Sequence, residues 1–424
     1  MIAIDTGLGG AVVKRKSNKG WTVVLAGLGI NLTLGIIYSY SLFKEAISAS
    51  IKANDGRFTW DLANLNDPYA VCCLVLASTT IFAGRLQDKL GPRFTATTCG
   101  ILVGLGLIWV SFSYSLTSWV LGFGILVGIG LGFGEVSCIP PAIKWFAPSK
   151  TGLIVGIVAV GYGLAPVYIA PLSEFLIDTY GISTSMMIFG VCFLLVICVL
   201  AQFLVNPPPG YRPDGILEPT KTFTGSAPGY VIDFQPSEML RTSAFYKLWL
   251  MLAIGSGAGL MIIGNVAGMA KQSLGAMAWA LVALMAMGNA SGRVVAGMLS
   301  DKIGRMRTLT IMMVAQSTMM VALLLVDSAN ATFMVLAAIF ICFNFGANIA
   351  LCPASTKDFF GLKNFGANYG LVCTAWGVGG FVFHKLSQMI VAATGTFNAA
   401  YFTAAILLAI AAGLSFTTKA PKKF

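Results

Sequence analysis

Arg293 and Glu135 are charged residues inside long apolar runs of this 424-residue chain, where a charge is costly. Arg293 precedes Asp301 by eight positions, roughly 12 Å along a helix, which is too deep for its side chain to reach water easily. Such a cation usually faces a partner or a wet cavity, and a guanidinium can bind a carboxylate through two parallel hydrogen bonds. Asn289, one turn earlier on the same face, could add a donor. Arg293 therefore predicts an anion site, unless it is a structural cation paired with a neighbouring helix.

Glu135 is the one acid well inside an apolar run, at a depth similar to that of Arg293. A carboxyl group buried without a cation tends to keep its proton, whereas a neighbouring guanidinium would keep it ionised. Glu135 is therefore a candidate proton carrier, and a pair with Arg293 would act as a switch. A buried structural ion pair is the alternative. Pro140 and Pro141 follow in the same run and are expected to break its helix.

Polar and aromatic side chains in other apolar runs could line the same cavity. Each of them alone is more often a packing residue or an interhelical hydrogen-bond partner. The candidate substrate-binding residues among them are Tyr38, which follows Asn31 by seven positions, Tyr162, Asn344 with its neighbour Phe345, and Trp376.

Enzymes and metal proteins are not favoured by the remaining residues. The sole histidine is His384, and the nine cysteines show no metal-ligand spacing. There is no nucleophile–base pair and no phosphate loop, because the glycine-rich stretch 122–134 lies within an apolar run without a βαβ pattern. We therefore expect no enzymatic activity, no metal site and no cofactor.

The composition predicts an all-α membrane protein that is surrounded by a lipid bilayer. The chain is 57% hydrophobic and 10% charged, with a mean hydropathy of +0.83, whereas soluble domains carry about 25% charged residues. Runs of about 20 apolar residues can cross a hydrocarbon core of about 30 Å. Twelve such runs are found: 21–43, 68–87, 95–114, 118–143, 152–174, 184–205, 246–268, 277–297, 308–326, 332–355, 366–392 and 398–417.

The longest polar interruption divides the runs into six and six. It spans 206–245, is rich in Pro and Gly, and is interpreted as a cytoplasmic linker between six-helix bundles at 21–205 and 246–417. Short tails, 1–20 and 418–424, complete the chain.

The distribution of Lys and Arg predicts the orientation in the membrane. With the N-terminus inside, 21 of the 27 basic residues lie on the inner side and five on the outer side. This bias places both termini in the cytoplasm. It also explains the net charge of +11 without a nucleic-acid partner.

A charged turn occurs twice, at corresponding positions in the two halves of the chain. Gly84-Arg-Leu-Gln-Asp88-Lys-Leu-Gly91-Pro-Arg93 follows the second run, and Gly297-Met-Leu-Ser-Asp301-Lys-Ile-Gly304-Arg305 follows the eighth. A repeat with an offset of half the chain length indicates two related halves. Asp88, Arg93, Asp301 and Arg305 are predicted to latch one conformational state.

These turns and their positions resemble the signature of the major facilitator superfamily. Finer matches resemble the oxalate/formate antiporter family and the related proton-linked monocarboxylate transporters. They are Tyr38-Ser-Tyr-Ser-Leu-Phe43, Lys144-Trp-Phe146 through Gly161-Tyr162-Gly163, Glu238-Met-Leu-Arg-Thr242 and Asn368-Tyr369-Gly370. The resemblance implies that Arg293 binds a substrate carboxylate and that Tyr38 and Tyr162 line the cavity.

Three departures from these relatives bear on the substrate. Members that exchange dicarboxylates have a lysine where this chain has Trp376, so one carboxylate fits better than oxalate. Animal monocarboxylate transporters have an Asp at the position of Asn289, so a coupling carboxylate would have to be Glu135. The oxalate-type members carry an aromatic residue there, and Glu135 could instead mark an unusual substrate.

The sequence thus predicts a secondary transporter of a small monocarboxylate such as lactate, pyruvate or formate, located in the cell (inner) membrane. Alternating access with a proton as co-substrate is the leading hypothesis. Anion exchange without protons is the alternative, and a membrane sensor that does not transport is a more distant one.

Overall fold

The computed structural model describes residues 19–211, 213, 233–274, 278–325 and 331–422, and their regular secondary structure is entirely helical. The predicted tails over 1–18 and 423–424, and half of the predicted linker, 212 and 214–232, lie outside the described residues. The side chain of His384 lies outside them as well.

Eight α-helices make up the first half. A 3₁₀ turn, Gly35–Ser39, joins the first two, and a π-helical segment, Val120–Val127, joins the fifth to the sixth. The helices are α1 (Lys19–Leu34), α2 (Tyr40–Ala53), α3 (Asp67–Leu90), α4 (Pro92–Ser111), α5 (Leu116–Trp119), α6 (Gly128–Ser137), α7 (Ile139–Ile143) and α8 (Thr151–Ala201).

The second half begins with a short helix and continues with six long ones. They are α9 (Pro236–Met239), α10 (Ser243–Leu274), α11 (Ala278–Ile303), α12 (Arg305–Leu325), α13 (Ala331–Phe360), α14 (Phe365–Thr394) and α15 (Asn398–Thr417).

Membrane-length passes account for almost all of this structure. Within the described residues, nine helical segments are long and apolar enough to cross a bilayer, and the one at Pro148–Ala201 is long enough to cross it twice. The other two long helices, α11 and α14, are also of membrane-crossing length and carry polar residues such as Arg293 and Asn368. Together these segments give the twelve predicted passes.

The helix breaks have local causes. Pro140 and Pro141 open α7, so the helical ladder of the fourth pass is interrupted at Cys138, as predicted. The fifth and sixth passes are the two helical parts of α8, which are separated by a non-helical residue, Gly181, where φ is 79°. Only glycine adopts this left-handed conformation without strain.

In each charged turn, a single glycine separates two helices. Gly91 (φ 85°) separates α3 from α4, and Gly304 (φ 95°) separates α11 from α12. The amide of each glycine closes the preceding helix by donating to a carbonyl four residues earlier. The prediction of tight turns between apolar helices is therefore confirmed.

The helices pack as two bundles, one from each half. The bundles meet chiefly where α8 packs against α11 and where α3 packs against α14. Large apolar side chains such as Leu74, Leu195 and Phe416 are exposed on the outer surface, as expected of a surface that faces lipid rather than water.

Candidate functional site

A narrow cavity of about 30 Å³, which is room for little more than a water molecule, lies between the two bundles. Both halves contribute to its wall, as expected of a site at the interface of two related bundles. The lining residues from the first half are Ile37, Tyr38, Leu76, Glu135 and Tyr162; those from the second are Leu252, Arg293, Ile349, Cys352, Tyr369, Cys373 and Trp376.

Arg293 projects from α11 into this wall and is 1% exposed. Its Nε donates to Oδ1 of Asn289 over 2.9 Å, one turn away on the same helix. Its Nη1 donates to the carbonyl oxygen of Ala159, on α8 of the other bundle, over 2.6 Å. Both acceptors are neutral, and no described acid forms an ion pair with it. Neutral acceptors thus use only part of its five N–H donors, and its charge is uncompensated by direct contact.

Glu135 projects from α6 into the same cavity. Its Oε1 accepts a hydrogen bond from the Tyr369 hydroxyl over 2.6 Å, and Cys373 Sγ lies 4.0 Å from the same oxygen. Tyr369 and Cys373 are on α14, so this contact also crosses between the bundles. Glu135 and Arg293 line one cavity without forming an ion pair. The paired state that the sequence left open is therefore not the one seen.

The two predicted tyrosines lie together on the cavity wall. Tyr38 is held in the 3₁₀ turn between α1 and α2, where Gly35 allows close approach to α8 because a Cβ there would overlap Ala165. The rings of Tyr38 and Tyr162 pack edge to face with centroids 6.4 Å apart. Arg293 and Glu135 both lie within electrostatic range of Tyr38. The cavity therefore offers phenol hydroxyls next to its one cation and its one acid.

Not every predicted residue reaches the cavity. Trp376 lines it from α14 and is 8% exposed, and Asn289 contributes through Arg293 rather than as part of the wall. Asn344 and Phe345 are fully buried within the second bundle. The amide of Asn344 donates to Phe340 on its own helix, and Phe345 packs where Gly259 of α10 leaves room. In this state Asn344 and Phe345 lie behind the lining residues and are not part of the cavity wall.

Sequence reasoning did not select Tyr369, Cys352 or Cys373 as site residues. In the sequence, Tyr369 stands out only within a family match at the start of its apolar run, and the cysteines show no metal-ligand spacing. The available signal was helical phase: Tyr369, Cys373 and Trp376 are spaced by four and three residues, so they share one face of α14.

The predicted latch residues hold helix ends of the opposite bundle. Asp88 accepts hydrogen bonds from the amides of Gly366 and Ala367 at the start of α14, over 3.0 and 2.8 Å. Asp301 accepts from the amides of Gly152 and Leu153 at the start of α8, both over 2.9 Å. A carboxylate at a helix N-terminus satisfies free N–H groups and interacts favourably with the helix dipole.

The two arginines of the turns differ in position. Arg305 pairs with Asp301 over 2.7 Å and with Asp358 over 2.8 Å, whereas Arg93 is exposed and makes none of these contacts. The extra residue Pro92 explains the difference, because it takes the first position of α4 that Arg305 takes in α12. Arg93 is thereby rotated by about 100° around its helix.

The comparisons with known proteins agree with this architecture. The sequence matches the Major Facilitator Superfamily over residues 20–384 and again over 251–423. It is 31% identical over 363 residues to an uncharacterized MFS-type transporter, YhjX, of Escherichia coli strain K12, which covers 85% of each chain. It is 26% identical to the oxalate:formate antiporter of Oxalobacter formigenes, over 84% of this chain and 81% of that protein.

Two further matches extend over nearly the whole chain. Monocarboxylate transporter 13 of Rattus norvegicus is 26% identical over 94% of this chain and 88% of its own. The crystal structure of the human organic anion transporter MFSD10 (TETRAN) has the same fold, with a TM-score of 0.70 at 13% identity over 94% of this chain and 99% of that one. With its two six-helix bundles and the cavity between them, the chain belongs to the major facilitator superfamily of membrane transporters.

Proposed function

We propose that the protein moves a small monocarboxylate, of the size of formate, pyruvate or lactate, across the cell membrane together with a proton. The observation that carries this proposal is Arg293, a cation in the wall of the central cavity that has only neutral partners. Its remaining N–H donors can bind a carboxylate. The relatives named for oxalate:formate exchange and for monocarboxylate transport support this choice of anion.

The charges in the cavity favour one carboxylate and one proton per cycle. When the cavity is empty, Arg293 and an ionised Glu135 give it no net charge. A carboxylate alone would add a negative charge away from water, whereas a carboxylate with a proton on Glu135 restores neutrality. Uncompensated buried charge is costly, so the neutral combination is preferred. A second carboxylate, as in oxalate, would meet Glu135 instead of a second cation.

Transport would proceed by rocking of the two bundles about the cavity. The contacts of Asp88 and Asp301 close the end that carries the charged turns. The bias of Lys and Arg assigns that end, both termini and the linker 206–245 to the cytoplasm. The described state would then be closed towards the cytoplasm, and release of the latches would open it.

Replacement of Arg293 tests the proposal. In proteoliposomes, Arg293→Gln should abolish saturable uptake of labelled lactate, pyruvate and formate, because no other cation lines the described cavity. Arg293→Lys keeps the charge but loses the planar fork, and its KM should rise by about 10- to 100-fold. Lys385→Gln removes an exposed cation from the same bundle and serves as the matched control. Saturable uptake by Arg293→Gln with a wild-type KM would refute the site.

Exchange of carboxylates without protons is the second candidate, because one relative is named as an oxalate:formate antiporter. Glu135 would then stay protonated throughout the cycle. Uptake would need a counter-substrate inside the vesicle and would ignore an imposed pH gradient. Measuring uptake into empty vesicles with and without an acid-outside gradient separates the two modes.

A further inference from the structure

We propose that Tyr369 is the positioning residue through which the proton on Glu135 controls closure of the two bundles. The hydroxyl of Tyr369 donates to Glu135 across the bundle interface over 2.6 Å. This inference rests on the proton-coupled transport proposed above. It assigns to Tyr369 a role in coupling that is separate from binding of the carboxylate.

Tyr369 lies on the same helical stretch as one of the latches. It is 2% exposed and stacks against Phe365, the first residue of α14, with ring centroids 5.7 Å apart. The next two residues, Gly366 and Ala367, are those held by Asp88. One turn of α14 thus carries both the contact to Glu135 and the contact that closes the end of the molecule. A change in the first contact is transmitted directly to the second.

The strength of the Tyr369–Glu135 bond depends on the charge of Glu135. An O–H donor to an ionised carboxylate forms a short bond of about 2.5–2.7 Å that is roughly twice as strong as a neutral one. When Glu135 takes up a proton, it becomes a neutral carboxylic acid, and Tyr369 keeps its own proton. The bond across the interface is then weakened.

Among the side chains around this hydrogen bond, Glu135 is the one that changes charge when a proton is taken up or released. In the described part of the chain, Arg293 is the charged group facing it, and phenols and thiols are ordinarily neutral between pH 5 and 8. The neutral neighbours are Tyr38 from the 3₁₀ turn, Tyr162 from α8, Cys352 from α13, Tyr369 and Cys373 from α14, and Cys138 next to α6. Helices α3 and α4 also pack on α6. Their phenols and thiols on the described residues include Tyr69, Cys72, Cys73 and Cys99.

This arrangement favours the return of the empty carrier to the closed state. After proton release, ionised Glu135 binds Tyr369 tightly and draws α14 back against the first bundle, so the empty carrier returns to the closed state. Protonation loosens the same contact and allows the loaded carrier to open. Loss of the Tyr369 hydroxyl should therefore lower the ratio of net accumulation to exchange, since only net accumulation needs the empty carrier to return.

The test reads conformation without substrate. Hydrogen–deuterium exchange is measured on the purified protein at pH 5.5 and pH 8.0, corrected for intrinsic rates, for peptides that contain the amides of Gly366 and Ala367. In the wild type, opening at these amides should be roughly three- to tenfold greater at the lower pH. In Tyr369→Phe, opening at pH 8.0 should rise to the wild-type value at pH 5.5, and most of the pH dependence should disappear.

Two further variants make the result decisive. Glu135→Gln replaces the carboxylate by a neutral acceptor, so opening should stay near the wild-type pH 5.5 value at both pH values, and the double variant should match Tyr369→Phe. Tyr40→Phe is the matched control, because Tyr40 is a buried phenol that donates to Leu65 within the first bundle. The proposal is overturned if Tyr369→Phe keeps the wild-type pH dependence or if Tyr40→Phe loses it. This exchange measurement does not depend on the identity of the substrate. If the protein did not transport carboxylates, the role of Tyr369 could still be tested, so the two proposals can be refuted separately.

Discussion

At the scale of single residues, the site consists of one cation and one acid that are held apart. Arg293 is fixed by Asn289 and by the carbonyl of Ala159, and Glu135 is fixed by Tyr369. Each charged group thus has a partner on the opposite bundle, and neither needs the other. Arg293 can therefore bind a carboxylate while Glu135 takes up a proton, which an ion pair between the two side chains would hinder.

Glu135→Gln separates binding from coupling at this scale. The amide keeps the size of the side chain but cannot take up a proton. We expect exchange between preloaded carboxylates to continue, while accumulation driven by an acid-outside gradient is lost, because the proton step is absent. Both activities are measured on one batch of proteoliposomes. Accumulation that persists in this variant would mean that the proton is carried by another group.

The sequence predicted the charged residues of the cavity better than its neutral ones. Arg293 and Glu135 were selectable because a charge in an apolar run is rare and costly, and both line the cavity. Tyr369 was not selected, because its partner Glu135 lies 234 positions away and a tyrosine is ordinary in a membrane helix. Asn344 looked equally polar, but its hydrogen bond stays within its own helix.

At the scale of helices, close contacts between glycines bring the bundles together. The first glycine of each charged turn faces a glycine at the start of a helix of the other bundle: Gly84 faces Gly366, and Gly297 faces Gly152. These pairs bring the Asp carboxylates within reach of the free amides. The turns were visible in the sequence, whereas their partners were not, because no local pattern marks the contact.

Gly370→Ala tests this packing. A Cβ at Gly370 of α14 would overlap the carbonyl oxygen of Thr80 on α3, and backbone atoms cannot move aside easily. We expect the variant to open the closed end, with faster deuterium exchange at residues 365–370 and a lower transport rate. Gly413→Ala is the matched control, because nothing lies within 4 Å of its Cβ position.

The control should be neutral or stabilising by about 0.5–1 kcal/mol, since alanine is the better helix former. A melting temperature at or above that of the wild type would show this. If Gly370→Ala behaves like Gly413→Ala in both exchange and transport, the tight contact between α3 and α14 does not control closure.

At the scale of the whole molecule, the fold was predictable because the membrane constrains it strongly. Twelve apolar runs, a repeat at half the chain length and one long polar interruption leave few other arrangements. The boundaries were less predictable. The first pass is a broken helix that continues to Ala53, and the fifth and sixth passes join through Gly181. Both features depend on packing between passes, which a count of apolar residues does not describe.

Orientation in the membrane is the prediction at this scale. Lys52 ends α2 on the side assigned to the exterior, and Lys422 lies on the side assigned to the cytoplasm. In a Cys192→Ser background, which removes an exposed native thiol, Lys52→Cys should react with a membrane-impermeant maleimide in intact cells. Lys422→Cys should react only after lysis. The reverse pattern would invert the topology and the direction assigned to closure.

The reciprocal contacts of Asp88 and Asp301 bear on the origin of the chain. Each half supplies the acid that caps a helix of the other half, and each receives the same cap in return. A six-helix ancestor with one such acid and one such helix end would have been self-complementary. Two copies of it would have closed as a twofold-symmetric dimer by this same exchange. Gene duplication and fusion would then have preserved an existing interface, and the divergence of Arg93 from Arg305 records where the two copies have since become unequal.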